Sequence, residues 1–148
     1  MAPPRLPKDI PPDLLEQARA RFREFPLTRD WRLTVDRLGP GQAVMGLEPS
    51  LITSGSAGVV TGGVLATLAD LACALALCTR FDGRMPFATS DLHIRYLEPA
   101  TSRVAAEASV LRAGLHSAVL ECRMRCDGRI VALCTAHFTL KREPGDDK

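Results

Sequence analysis

Between Gly62 and Thr79 the chain is apolar almost all the way round a helical wheel, with one carboxylate, Asp70, in the middle. A helix with no polar face must be covered on every side, so the rest of the chain has to wrap around it. Its apolar run, Val64 to Cys78, is 15 residues long and is interrupted by Thr67 and Asp70. That is shorter than the roughly 20 residues a bilayer span needs, which predicts a buried core helix rather than a membrane segment.

The cover comes mostly after the helix. Phe87 to Leu97, closed by Pro99, reads as a strand, as does Arg103 to Arg112. Beyond a turn at Gly114, Ala118, Leu120, Cys122, Met124 and Cys126 alternate with polar or charged neighbours, the period of a half-buried strand. Asp127-Gly128 signals a two-residue hairpin, and Ile130, Ala132, Cys134, Ala136, Phe138 and Leu140 alternate beyond it. Before the helix, Leu15, Ala18, Phe22 and Phe25 mark a first helix from about Asp13 to Phe25, stopped by Pro26. Trp31, Leu33 and Val35, then Ala43, Met45 and Leu47, mark two strands about the Gly39-Pro40-Gly41 turn. Pro49 to Gly58 is a Ser/Gly-rich loop. Strands in runs, not alternating with helices, imply an α+β fold whose antiparallel sheet wraps one long helix.

One domain is expected over 1–148, with a proline-rich arm at 1–12 and a solvated tail at 143–148. A formal net charge of +2 is too small for a nucleic-acid surface, although arginine greatly outnumbers lysine. The five cysteines form no CxxC pair and sit on apolar segments, so no zinc knuckle, redox motif or disulfide scaffold is indicated. The N-terminus has no apolar signal core. The expectation is a soluble, cytoplasmic protein without metal or cofactor.

Asp70 carries the most information. A mid-helix carboxylate among leucines and alanines is costly to desolvate unless it is paired or used. Val64, Leu68, Leu71 and Leu75 form a large-residue stripe, whereas Gly63, Ala66, Thr67, Asp70, Cys73 and Ala74 form a small-residue stripe with room beside it. Asp70 is either a functional group on that face or a structural one bonded across an oligomer contact. Thr61 is a natural N-cap, and Gly62-Gly63 leave the first amides approachable. Such amides hold an oxyanion in one reading and merely permit close packing in the other. Gly58 and Gly63 have the spacing of a phosphate-binding loop, but Val64 stands where lysine is required.

The segments Val60-TGGVLATLAD-Leu71 and Ala88-TSDLHIRYLEPA-Thr101 resemble the hotdog-fold acyl-CoA thioesterases of the phenylacetate-pathway (PaaI-type) group. In that group the helix opens HGGxxATLxD. The following strand reads T/S-x-D-L-x-x-x-[YF]-[LM]-x-P-A. The resemblance implies a hotdog fold and hydrolysis of acyl- or aryl-CoA thioesters. It implies that Asp70 is the catalytic carboxylate, that the Gly62 N–H holds the thioester oxygen, and that Thr89 positions the water. Thr61 and Gly63 would line the substrate. There are two departures: the group's usual histidine is Thr61 here, and its usual asparagine falls near Gly55 or Ser56.

Other candidates weigh less. His93, His116 and His137 have no metal-ligand spacing, and no GxSxG occurs. Among Arg103, Arg112, Arg123, Arg125 and Arg129, Arg112 is the expected contact for coenzyme A phosphates. A non-catalytic acyl-CoA-binding protein is the alternative, favoured by Thr61 and disfavoured by Asp70. A hotdog dehydratase would need a histidine near the helix start, and none lies between Met1 and Leu92. Finally, Gly62 and Asp70 are eight residues apart, or about 12 Å along one helix. A single carbonyl cannot reach both, so a homodimer, or a homotetramer built from two such dimers, with sites shared between chains is expected.

Overall fold

The computed structural model describes residues 8–141. The expected arm, apart from 8–12, and the expected tail lie outside the described residues. Helix α1 spans Leu14–Glu24 and buries Leu14, Ala18 and Phe22. Phe25 was expected on that stripe but is exposed. Pro26 ends α1 as expected, yet it also starts a second short helix, α2 (Pro26–Asp30). A proline costs nothing at a first helical position, where the amide has no acceptor anyway.

Strands β1 (Leu33–Gly39) and β2 (Gln42–Leu47) precede α3 (Gly62–Cys78), which continues as a 3-10 turn over Thr79–Phe81. Strands β3 (Phe87–Tyr96), β4 (Val104–Ala113), β5 (Ser117–Cys126) and β6 (Arg129–Leu140) follow. All pairings are antiparallel, in the order β1-β2-β4-β5-β6-β3. The hairpin expected at Asp127-Gly128 has both residues at positive φ, 51° and 76°, as a type I′ turn requires.

Helix α3 packs against every strand of the sheet. It comes close because the inner face of the sheet is lined with small side chains: Ala106, Ala108, Ala118, Ala132 and Ala136 are all buried. Leu68, Ala69, Ala72, Cys73, Ala76 and Leu77 on the helix are fully buried against them. A chain with so few aromatics thus builds its core by close approach rather than by bulk.

Three expectations need correction. The helix is not covered on every side: Gly63 is exposed, and Ala66, Thr67, Asp70, Leu71 and Ala74 are only half-buried, which leaves one open flank. Cys73 is not on that flank but in the core, because three residues fall about 60° short of a full turn and bring it round from Asp70 to the sheet side. In β6, Val131 and Ala132 are both buried while Ile130 is half-buried, because a register shift at Met124/Arg125 breaks the alternation.

The two sheet edges differ. Along β1, α1 lies against the strand, and Arg19 donates from Nε to the Val35 carbonyl at 2.9 Å and from Nη2 to the Asp36 carbonyl at 3.5 Å. Strand β3 pairs only with β6, so its ten residues form an edge with no neighbouring strand among the described residues.

Candidate active site

Asp70 lies midway along α3, half-buried on the open flank. Opposite it stands Thr89, near the start of β3, whose hydroxyl donates to Asp70 Oδ1 at 2.7 Å. Thr89 reaches it because its cross-strand partner is the buried Phe138, which fixes that row of β3 to the helix side of the sheet. The register shift between Thr89 and Asp91 follows at once and restarts the alternation. The carboxylate is therefore paired with a neutral donor, not an arginine or lysine. Its second oxygen, Oδ2, has no hydrogen-bond partner among the described residues.

Three thiols lie beneath the carboxylate. Cys122 and Cys134 face each other across β5 and β6, and both are buried with Cys73. A hydrogen bond with Cys122 and burial push the Cys73 thiol far up, and Asp70 adds to the effect. Burial first, then Cys73 and Asp70, push Cys134 up to about 12. Cys73 and Cys134 are therefore neutral thiols at physiological pH and offer no competing nucleophile.

The other end of α3 is built differently. Thr61 occupies the N-cap with extended backbone (φ −62°, ψ 138°), but its side chain makes no capping bond, contrary to expectation. Its carbonyl instead accepts from the Val64 and Leu65 amides at 3.0 and 3.2 Å. The Gly62 and Gly63 amides, first in the helix, have no intrahelical acceptor. At the end of β3, Tyr96 Oη donates to the Gly62 carbonyl at 2.6 Å. A Cβ at Gly62 would lie 3.1 Å from the Tyr96 ring, so this position has little room for a side chain. Sequence reasoning gave Tyr96 no role, although it stands in the aromatic slot of the strand motif.

The structure thus brings Asp70 and Thr89 together, and Gly62, Gly63 and Thr61 together, at separate places on one helix. Arg112 joins neither group within the protomer. Its partner in β5 is Val119, and a register shift turns it to the sheet face away from α3, three strands from β3. The four other candidate arginines are neutralised: Arg103 by Asp36 and Glu48, Arg123 by Glu121, Arg125 by Glu107 and Arg129 by Glu98. No cluster of three potential metal ligands occurs among the described residues.

The sequence profile of the thioesterase superfamily matches residues 57–133, from the approach to α3 into β6. No curated protein matches significantly. Among solved structures, a variant of the phenylacetic acid degradation protein PaaI from Thermus thermophilus is 30% identical, over 78% of this chain and 99% of that one, with a TM-score of 0.72. A conserved protein of Pseudomonas aeruginosa is 26% identical over 81% of this chain and 97% of its own, with a TM-score of 0.76. The PaaI protein of E. coli, at 20% identity, shares the fold over 88% of this chain and 94% of its own, with a TM-score of 0.77. An apolar helix buried in a six-stranded antiparallel sheet, a superfamily match over more than half the chain, and these relatives together show that the protein belongs to the thioesterase superfamily and has a PaaI-type hotdog fold.

Proposed function

We propose that the protein hydrolyses acyl- or aryl-CoA thioesters, with Asp70 as the carboxylate that activates water or attacks the carbonyl itself. The observation that carries this reading is the 2.7 Å bond from Thr89 to Asp70 Oδ1 on the open flank of α3. It holds the carboxylate in one orientation and leaves Oδ2 free. With water as nucleophile, Asp70 takes its proton as oxygen adds to the carbonyl carbon, and the carbonyl oxygen becomes an oxyanion. The C–S bond then breaks, and the thiolate of coenzyme A leaves with that proton. The Gly62 amide is the donor to the oxyanion, in a role worth about 10²–10³ in rate at other acyl-transfer sites. No cofactor is needed.

The site is shared between two chains in this reading. Tyr96 ties Gly62 to one end of β3, and Thr89 ties Asp70 to the other. An open ten-residue edge strand is a template for pairing. Antiparallel pairing of β3 with its own copy about Leu92 or His93 sets Tyr96 of one chain opposite the Ala88–Ser90 stretch of the other. The two α3 helices then lie side by side with their open flanks facing, and Gly62 approaches the partner's Asp70. The edge at β1, closed by α1 and Arg19, is unsuited to this. Arg112 takes no part in the chemistry. Among the five candidate arginines it alone has no carboxylate partner among the described residues, so it is the one left for coenzyme A phosphates if a neighbouring protomer carries them to its face.

The test is a hydrolysis screen over short, medium, long and aromatic acyl-CoAs, with Asp70→Asn alongside. Turnover by the wild type and none by a folded Asp70→Asn support the reading. Near-wild-type turnover by the variant makes Asp70 structural and ends it. Thr61, in place of the histidine usual in the group, favours a second reading, a protein that binds acyl-CoA without cleaving it. Tight acyl-CoA binding with no turnover on any member of the screen would establish that one.

A further inference from the structure

We infer that Tyr96 is a positioning residue of the thioester site: through the Gly62 carbonyl, its phenol orients and strengthens the Gly63 N–H as a second donor to the thioester oxygen. The inference rests on the hydrolase reading above.

Tyr96 is the only tyrosine in the chain and the last residue of β3. The acceptor of its 2.6 Å bond is the carbonyl of the first residue of α3. Helix geometry already gives that carbonyl one partner, the amide four residues on, so the phenol takes its second lone pair. Satisfying a buried polar group therefore does not explain the bond. Its effect falls on the peptide unit the carbonyl belongs to, whose N–H is that of Gly63. A further bond to a peptide oxygen draws electron density from its nitrogen and makes its N–H a stronger donor, by about 10–30% per bond in condensed-phase estimates.

The two glycines divide the work. At Gly62 the Tyr96 ring fills the space a side chain would need, with Cζ, Oη and Cε1 at 3.1, 3.2 and 3.4 Å from an ideal Cβ. At Gly63 nothing lies within 4 Å of the equivalent point. The first glycine admits the tyrosine and the second leaves an open approach. One edge strand thereby sets both halves of the site, Thr89 on the carboxylate and Tyr96 on the amides.

Tyr96→Phe keeps the ring and removes only the hydroxyl. The Gly63 amide nitrogen resonance is expected to move upfield in the variant, since its carbonyl partner is lost. kcat is expected to fall about 3- to 10-fold, the scale of one neutral hydrogen bond, while KM stays within about twofold. A Gly63 resonance that does not move overturns the inference whatever the activity. A resonance that moves with kcat unchanged overturns the donor role, as does a change in KM alone. Wild-type protein without thioesterase activity is recognised in the same assay before any variant is made and sinks the hydrolase reading, while the Gly63 resonance still tests the hold of Tyr96 on that peptide.

Discussion

Replacing Thr89 with valine isolates one bond. Valine keeps the branched shape that suits a strand and removes the hydroxyl that donates to Asp70 Oδ1 at 2.7 Å. A hydrogen bond to a charged group contributes about 1.5–3 kcal/mol when buried. Thr89 is exposed and Asp70 half-buried, so water replaces part of the loss and roughly 1 kcal/mol of stability is expected to go. In a chain of this size that is about 2–4 °C in Tm. The kinetic loss is larger in kind, because the carboxylate is released to rotate about its side-chain bonds. If orientation is what Thr89 supplies, about 1–2 kcal/mol of transition-state stabilisation is lost, a fall in kcat of roughly 5- to 30-fold. KM stays near wild type, since the lost bond is to Asp70 and not to substrate. Thr89→Ser, which keeps the hydroxyl, should recover most of kcat. Steady-state kinetics on the best acyl-CoA and a thermal melt of the same preparation decide it. An unchanged kcat with a raised KM would refute the reasoning and make Thr89 a substrate contact.

Three further outcomes follow from the same structure. Burial pushes the Cys78 thiol up to about 11 and the Cys134 thiol up to about 12. The folded state therefore keeps protons that the unfolded chain has lost above about pH 9, and stability should be flat below that and fall by up to about 1.4 kcal/mol per pH unit per thiol above it. Cys134→Ala should reduce that slope in pH-dependent denaturation, and an identical slope would count against it. Thr61→His should cost little stability, because the Thr61 side chain caps nothing. It should raise turnover if histidine there polarises the carbonyl, whereas lost turnover would show a site adapted to threonine. Gly46→Ala places a Cβ against Thr34 Oγ1, which must turn aside, and against Arg103 Nη2, which must swing away from Asp36 and Glu48. These are exposed ion pairs, so a loss of only about 1 kcal/mol in chemical denaturation is expected, and a loss several times larger would refute this view of the contact.

Much of the fold was legible because its signals are local. The apolar run of α3, the alternation in β2 and β5 and the Asp127-Gly128 turn each act within a few residues, and the structure has all of them. Asp70 stood out for a related reason, since a lone carboxylate in an apolar helix needs a purpose. The misses were decided by contacts distant in sequence. Nothing near Thr61 reveals that its side chain caps nothing. The burial of Cys73 depends on Cys122 and Cys134, about fifty and sixty residues on. Tyr96 was visible only as a motif letter, because its bond to Gly62 spans 34 positions. Arg112 was chosen on charge alone, and the register shift in β4 that turns it away from α3 leaves no local trace.

The central claim is that one site needs Gly62 from one chain and Asp70 from the other. Two variants test it together: Asp70→Asn removes the carboxylate and Gly62→Pro removes the amide. The backbone accepts proline here, because Thr61 is already extended and a first helical position tolerates it, and the Tyr96 ring, 3.1 Å from the new Cβ, has to give by a few tenths of an ångström. Each variant alone should be folded and inactive. After subunit exchange, a purified mixed dimer contains one site with both groups intact and one with neither, so about half of wild-type turnover is predicted by two-fold symmetry. A folded, demonstrably exchanged mixed dimer without turnover would contradict the shared site.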